Sequence, residues 1–379
     1  MNFEKSEGIL FVPVLLLLLV AAFECKGEEW LAEGDTVTKV KKENIWRKGN
    51  IVPLPVAFYS PETQLAFGAV LMNFFKLNKN DTISRTSNAR TALIYTTRNQ
   101  FITNSDYNIF FKEEAYQLRG SISFLKFPDN YYGIGNDTDL GNEEVYENNI
   151  FNFSTRFTKN LGKGLFVGLQ YNYYNMFNIK PEEGGELADL NILGSEGVSL
   201  SGLGFIMTYD RRDNTLNASK GMYLEISNRF YSSVLGSSHD FNEVKIDVRK
   251  YFKIASKHVV ALQSLGNFNT GSVPFQKMGY LGGDKLLRGY YRGRYRDKNA
   301  LALQAEYRYS VCPRFGVVVF GGVGQVAASP SNFTLDRMKE SWGAGLRFTL
   351  NKKESLNLRV DYGMGRDVSN FYINLAEAF

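Results

Sequence analysis

Residues 301–311 read LALQAEYRYSV and alternate without a break. Leu301, Leu303, Ala305, Tyr307, Tyr309 and Val311 share one face, while Ala302, Gln304, Glu306, Arg308 and Ser310 share the other. A period of two is a β-strand. Charges in mid-strand, opposite an unbroken apolar and aromatic face, fit a wall with lipid outside and water inside.

The pattern recurs along the chain. Sixteen segments have strand character: 51–59, 63–75, 87–97, 100–112, 115–127, 145–160, 164–178, 199–211, 221–233, 239–254, 256–267, 299–311, 314–327, 340–350, 354–365 and 369–379. No useful stretch shows the 3.6-residue period of an amphipathic helix. A mean hydropathy of −0.25 also argues against a bundle of membrane helices. The longest gaps, 128–144, 179–198, 268–298 and 328–339, follow the fifth, seventh, eleventh and thirteenth segments. In an up-and-down meander all four lie on one rim, the loop asymmetry of an outer-membrane barrel. A soluble multi-sheet protein would turn the same apolar faces inward, and strand periodicity alone does not separate the two. The even strand count, the one-sided loops, an N-terminal signal and a terminal Phe379 favour an all-β, 16-stranded antiparallel transmembrane β-barrel.

Ile9–Phe23 is a 15-residue apolar run, short for a spanning helix and suited to a secretory signal. The expected division is a signal peptide at 1–25, a short periplasmic segment at 26–50 and the barrel domain at 51–379. Residues 369–379 carry a second signal: Phe371, Ile373, Leu375 and Phe379 fall on one strand face, a C-terminal assembly signal for the cell's insertion machinery. Pro53 and Pro55 stand two apart in the first segment, so both remove donors on a single side. Either that side faces the last strand and weakens the closure, or the prolines precede the paired part of the strand.

The chain offers little for catalysis, and no catalytic residue is assigned. His239-Asp240 at a strand start is the one pair resembling a hydrolytic site, and a lone surface histidine is the plainer reading. Two histidines and two cysteines, widely scattered, are too few for a zinc centre. Gly282-Gly283 and Gly289…Gly293 lack phosphate-loop or dinucleotide spacing. A net charge of +5, spread along the strands, leaves no nucleic-acid footprint. No metal or cofactor is called for. Asp210-Arg211-Arg212-Asp213 reads as a charge cluster satisfying itself at a strand end.

The most specific motif lies in the longest gap. Residues 281–296 read LGGDKLLRGYYRGRYR, too polar for a strand, and just ahead of the 301–311 strand. A loop carrying GG…LRGY followed by …AEYRY… resembles the surface-antigen barrel of the BamA/TamA-type outer-membrane assembly superfamily. Weaker likenesses run in the same order: residues 54–63 (LPVAFYSPET), 131–136 (YYGIGN), and 209–213 (YDRRD) with Lys220-Gly221. The resemblance covers about residues 50–379 and implies a short member without POTRA domains. It implies that the loop after the eleventh strand folds into the lumen, led by Arg288, Gly289 and Tyr290, with Glu306 as the anchoring acid. One position departs: the family's further aspartate on the next strand falls at Gly322, so Gly322→Asp is expected to be tolerated and to tighten the loop. The implied role is assistance to protein or lipid insertion or translocation in the bacterial outer membrane, by a protein that is not an enzyme. Its implied partners are outer-membrane lipids, the barrel-assembly machinery during biogenesis and client polypeptides. The alternatives are a passive or gated pore, an outer-membrane enzyme, or a surface adhesion protein.

Overall fold

A computed structural model describes residues 52–379, apart from 79–80, 82–83, 189–191 and 353–354. The expected signal peptide and the 26–50 segment lie outside the described residues. The described chain forms nineteen strands. The first half comprises β1 (Val52–Ser60), β2 (Gln64–Phe75), β3 (Ser87–Thr96), β4 (Phe101–Phe111), β5 (Tyr116–Lys126), β6 (Asp129–Tyr131), β7 (Glu144–Gly162), β8 (Leu165–Lys180), β9 (Val198–Asp210) and β10 (Gly221–Tyr231). The second half comprises β11 (Phe241–Ala255), β12 (His258–Gly271), β13 (Gly279–Leu281), β14 (Tyr295–Asp297), β15 (Asn299–Ser310), β16 (Phe315–Ala327), β17 (Lys339–Asn351), β18 (Leu356–Gly365) and β19 (Val368–Leu375).

Sixteen of these strands form one closed antiparallel barrel, each paired with its sequence neighbour and β19 returning to β1. They match the sixteen segments expected from the sequence. The remaining three are short: β6 pairs with the first residues of β7, and β13 with β14 forms a hairpin inside the long loop between β12 and β15. No helix among the described residues is long and apolar enough to cross a membrane.

Strand β15 shows how the wall is sided. Glu306 and Arg308 are buried, whereas Leu303 and Tyr307 are 46% and 38% exposed. Phe205, Val319 and Trp342 likewise stand outside with more than half their surface free. Charge inside and apolar surface outside is the reverse of a soluble sheet. The pattern therefore decides for the transmembrane barrel.

The turns divide as expected. The segments 127–143, 181–197, 272–298 and 328–338 lie on one rim. The links 112–115, 163–164, 256–257 and 311–314 lie on the other. Under the long-loop rim, Tyr131, Tyr146, Leu187, Leu200, Tyr231, Phe275 and their neighbours form an apolar cap. Two boundaries move by four residues: the eleventh wall strand, expected to end at 267, runs on to Gly271, and the C-terminal strand stops short. The sixteenth wall strand ends at Leu375, four residues before the terminus, where Ala376 takes a positive φ of 64°.

Candidate functional site: a lumenal loop anchor beside an incomplete seam

The loop of residues 272–298 enters the barrel and presents its tip to β15, β16, β17, β18 and β19. A polar tip inside a barrel must satisfy its charge and its backbone, and here both are satisfied. The Arg288 guanidinium is 1% exposed. It donates through Nη1 to Asp361 Oδ2 at 2.6 Å and through Nη2 to Glu306 Oε1. Its Cζ lies 3.5 Å from the centroid of the Phe320 ring, a cation–π contact on a third side.

Backbone groups are tied as carefully. The Arg288 carbonyl accepts from Ser341 Oγ at 2.5 Å, and the Gly289 N–H donates to Tyr372 Oη at 3.0 Å. Asn370 Nδ2 donates to the Gly289 carbonyl at 2.6 Å. Tyr290 Oη donates to the Glu340 carbonyl and accepts from the Arg366 N–H, both at 2.8 Å.

Glycine is required at the tip itself. Gly289 has φ of 118°, and a Cβ there would meet the Met364 backbone at 2.7 Å. Across the contact, a Cβ at Gly363 would meet the Arg288 carbonyl carbon at 2.5 Å. Two backbones touch because neither carries a side chain.

Arg288 thus pairs with Glu306 inside the lumen, while Gly289 and Tyr290 bond to β17, β19 and the turn between β18 and β19. The second acid comes from an unexpected strand. Asp361 on β18 fills the role, and it also accepts from Arg347 Nη1 at 2.5 Å and Arg359 Nη1 at 3.0 Å. Its signal was present in the sequence, since Arg359 and Asp361 alternate on the polar face of their strand; nothing local said that this face meets the loop. Gly322, where the family aspartate was sought, is instead part of the seat. A Cβ there would lie 2.8 Å from Leu287 Cδ2, Gln304 Cβ and the Leu303 carbonyl. The expectation that Gly322→Asp is tolerated is corrected: the position is filled by the loop's own leucine.

The network runs on to the C-terminus. Arg308 joins Glu306 at 2.8 Å to the Phe379 carbonyl at 3.0 Å and the Ala218 carbonyl at 3.2 Å. Arg347 Nε donates to Glu377 Oε2 at 2.7 Å. Arg359 Nη2 reaches Asp284 Oδ2 at 2.7 Å. Four arginines therefore alternate with four carboxylates across the inner wall, the loop and the C-terminal tail, each charge held by another.

Of the expected assembly signal, Phe371, Ile373 and Leu375 lie on β19. Phe379 does not share their outer face: it turns inward and packs with Ala218, Tyr251 and Ala261 at the short-turn rim. Glu377 is buried with it. The turn of residues 211–220 receives this tail, with the Leu216 carbonyl accepting from the Glu377 N–H at 3.1 Å. The Asp210–Asp213 cluster builds that turn. Arg212 is bidentate on Asp210 at 2.9 and 2.7 Å, and Asp213 caps the Ser219 and Lys220 amides. It is the self-satisfied cluster expected. His239 and Asp240 do not form a dyad, because the Asp240 carboxylate accepts from the Ser233 N–H at 2.6 Å. Among the described residues no group of three histidines, cysteines or carboxylates is placed to hold a metal.

The closure between β1 and β19 differs from every other junction. Their register has the single pair Tyr59↔Ile373, against nine pairs for β1 with β2 and eight for β18 with β19. The prolines explain where it stops. The Thr97 N–H donates to the Leu65 carbonyl at 2.9 Å, so the backbone of Leu65 faces β3. Tyr59, opposite Leu65, must then turn its amide away from β2 and toward β19. Positions two, four and six further back, Ala57, Pro55 and Pro53, face the same way. Continuing the Tyr59↔Ile373 register would set Pro55 opposite Glu377 and Pro53 opposite Phe379. With no N–H on offer there, the tail leaves the ladder at Ala376 and finds its partners in the lumen. The prolines lie in the part of β1 that pairs with β2, turn their nitrogens toward the seam, and precede the one residue that pairs with β19.

A closed antiparallel barrel with an arginine-tipped loop locked in its lumen, and one junction left almost unpaired, defines a transmembrane barrel of the outer-membrane type. Residues 73–379 match the Omp85 superfamily domain, and the chain belongs to that superfamily. Its fold is similar to that of BamA from Haemophilus ducreyi lacking POTRA domains 1–3, with a TM-score of 0.58 at 14% identity, covering 86% of this chain and 70% of that one. It is also similar to CdiB from Acinetobacter baumannii (TM-score 0.53, 14% identity, 86% of this chain, 59% of that one). CdiB from Escherichia coli gives a TM-score of 0.54 at 9% identity, over 84% of this chain and 62% of that one. These likenesses are of fold. A search of curated sequences finds no match.

Proposed function

We propose that this chain is an integral protein of the bacterial outer membrane that assists the insertion or translocation of polypeptides through an openable junction between β1 and β19, without enzymatic chemistry. The observation that carries this reading is the single Tyr59↔Ile373 pair at the closure. Within lipid no water replaces a missing ladder bond, so a junction with one pair and two prolines is the least costly place to part the wall. The lumenal anchor supports the same reading from the other side: it ties the loop to β15, β17, β18 and β19 and, among the described residues, meets β1 through the turn that follows it. In that turn, Glu62 Oε1 accepts from the Arg292 N–H at 2.9 Å. On this reading the long loops lie outside the cell, the short turns lie in the periplasm, and β19 with the inward tail is what the assembly machinery reads.

The test is to lock the junction. Cysteines at Tyr59 and Ile373 stand directly opposite, within the reach of a disulfide after small adjustment. Depleting the protein should lower the amount of assembled barrel proteins in the outer membrane. Wild type and each single-cysteine variant should restore it, and the oxidised double variant should restore it only after reduction. An outer-membrane proteome unchanged by depletion, or full activity with the junction locked, would leave a pore as the better account.

A further inference from the structure

A second cavity lies away from the anchor, against the inner wall of β4, β5, β7, β8 and β10, with a volume of 160 Å³. That is room for on the order of ten waters. Register places Arg119 on β5 directly opposite Arg156 on β7. Like charges in that position repel each other, so the site calls for negative charge.

The protein supplies too little. The cavity is lined by two carboxylates, Asp106 and Glu225. Glu225 is taken by Arg156 at 2.9 Å and by the Tyr223 hydroxyl at 2.6 Å. Asp106 is paired with Arg90. The Arg119 side chain makes no hydrogen bond or ion pair with any described residue. Beside the two arginines, one step along the same strands and on the same face, Ser121 and Ser154 hold their hydroxyls 3.0 Å apart. Two guanidinium forks and two hydroxyls converge on one hydrated space. Guanidinium matches the planar oxygen pairs of phosphate and carboxylate bidentately, and does so best where its own charge is uncompensated.

We infer that the lumen carries an anion site between Arg119 and Arg156 that takes a small oxyanion of the phosphate class. The anion supplies the charge that Asp106 and Glu225 cannot, and the serine hydroxyls donate to its remaining oxygens. Because the site sits on the wall opposite the loop anchor, its occupancy is independent of whether β1 and β19 part.

Inorganic phosphate is the probe. It is titrated into the folded full chain in detergent, with sodium chloride holding ionic strength constant, and binding is read by calorimetry and by the thermal midpoint of the heat-modifiable band. Wild type should bind phosphate saturably in the millimolar range. Arg119→Gln should bind at least tenfold more weakly, the loss of one charge-assisted contact. Arg119→Glu should not respond to phosphate at all, and its midpoint in chloride should exceed that of wild type because the new carboxylate pairs with Arg156. An equal response of wild type and Arg119→Gln overturns the assignment. So does a wild type without saturable binding, whatever the variants do.

Discussion

Replacing Arg288 by alanine removes the charge on which the lumenal loop turns, and the structure sets the size of the effect. Glu306 and Asp361 are both fully buried, and each loses one guanidinium. Breaking a buried pair from one side costs about 3–5 kcal/mol. Neither acid is left bare, because Glu306 keeps Arg308 at 2.8 Å, and Asp361 keeps Arg347 at 2.5 Å and Arg359 at 3.0 Å. The cost of Arg288→Ala therefore falls near the lower end, about 3 kcal/mol. Glu306→Ala takes a carboxylate from both Arg288, which keeps Asp361, and Arg308, which is left with carbonyl partners, and should cost about 4 kcal/mol. Asp361→Ala takes a carboxylate from three guanidiniums at once, leaving each with one acid, and should be the most damaging of the three. Removing Arg288 and Glu306 together restores the balance of charge on the wall, so the double variant should cost about 2 kcal/mol less than the sum of the singles. The assay is denaturant unfolding of the folded barrel, with protease cutting within 272–298 as a separate report on the loop. Additivity to within about 0.5 kcal/mol, or an Asp361→Ala no worse than Arg288→Ala, would refute the reasoning.

Gly322→Asp should expel Leu287 from its seat and expose the loop to protease, whereas Gly322→Ala should give a smaller effect of the same sign; cleavage rates within 272–298 check both. Phe379→Ala should cost about 3 kcal/mol from the cavity left among Ala218, Tyr251 and Ala261, and deletion of Phe379 should leave unassembled protein in the periplasm, seen as loss of the heat-modifiable band from the membrane fraction. Glu62 lies buried in the turn between β1 and β2, and burial raises its carboxyl above the ordinary value of 4.5. A raised folded value means that the folded state binds the proton more tightly, so this group's contribution is present at low pH and is lost as pH rises through the folded value. Thermal midpoints should therefore fall with rising pH across that range in wild type, and Glu62→Gln should remove the slope while keeping an amide oxygen for the Arg292 N–H.

Much of this protein is written locally. Each strand of a transmembrane barrel shows one face to lipid and one to the lumen, so the alternation in 301–311 reports the strand and its two faces from eleven residues alone, and the even strand count and one-sided loops say which face meets lipid. The same holds for all sixteen wall strands and for the rim on which the long loops lie. The pairing of Arg288 with Glu306 was expected through the resemblance of the GG…LRGY loop and the AEYRY strand to the BamA/TamA-type superfamily, since neither residue's local sequence names its partner. What remained hidden depends on which strands closure brings opposite one another. Asp361 meets Arg288 across 73 residues, and Gly322 becomes a seat only when Leu287 arrives to fill it. The strand expected to run to Phe379 stops at Leu375, because its neighbour across the seam is β1, and β1 offers Pro55 and Pro53 where amides are needed. Periodicity along a chain is set by the geometry of the chain itself. Register across a closed barrel is set by every strand at once, and only the tertiary structure holds that information.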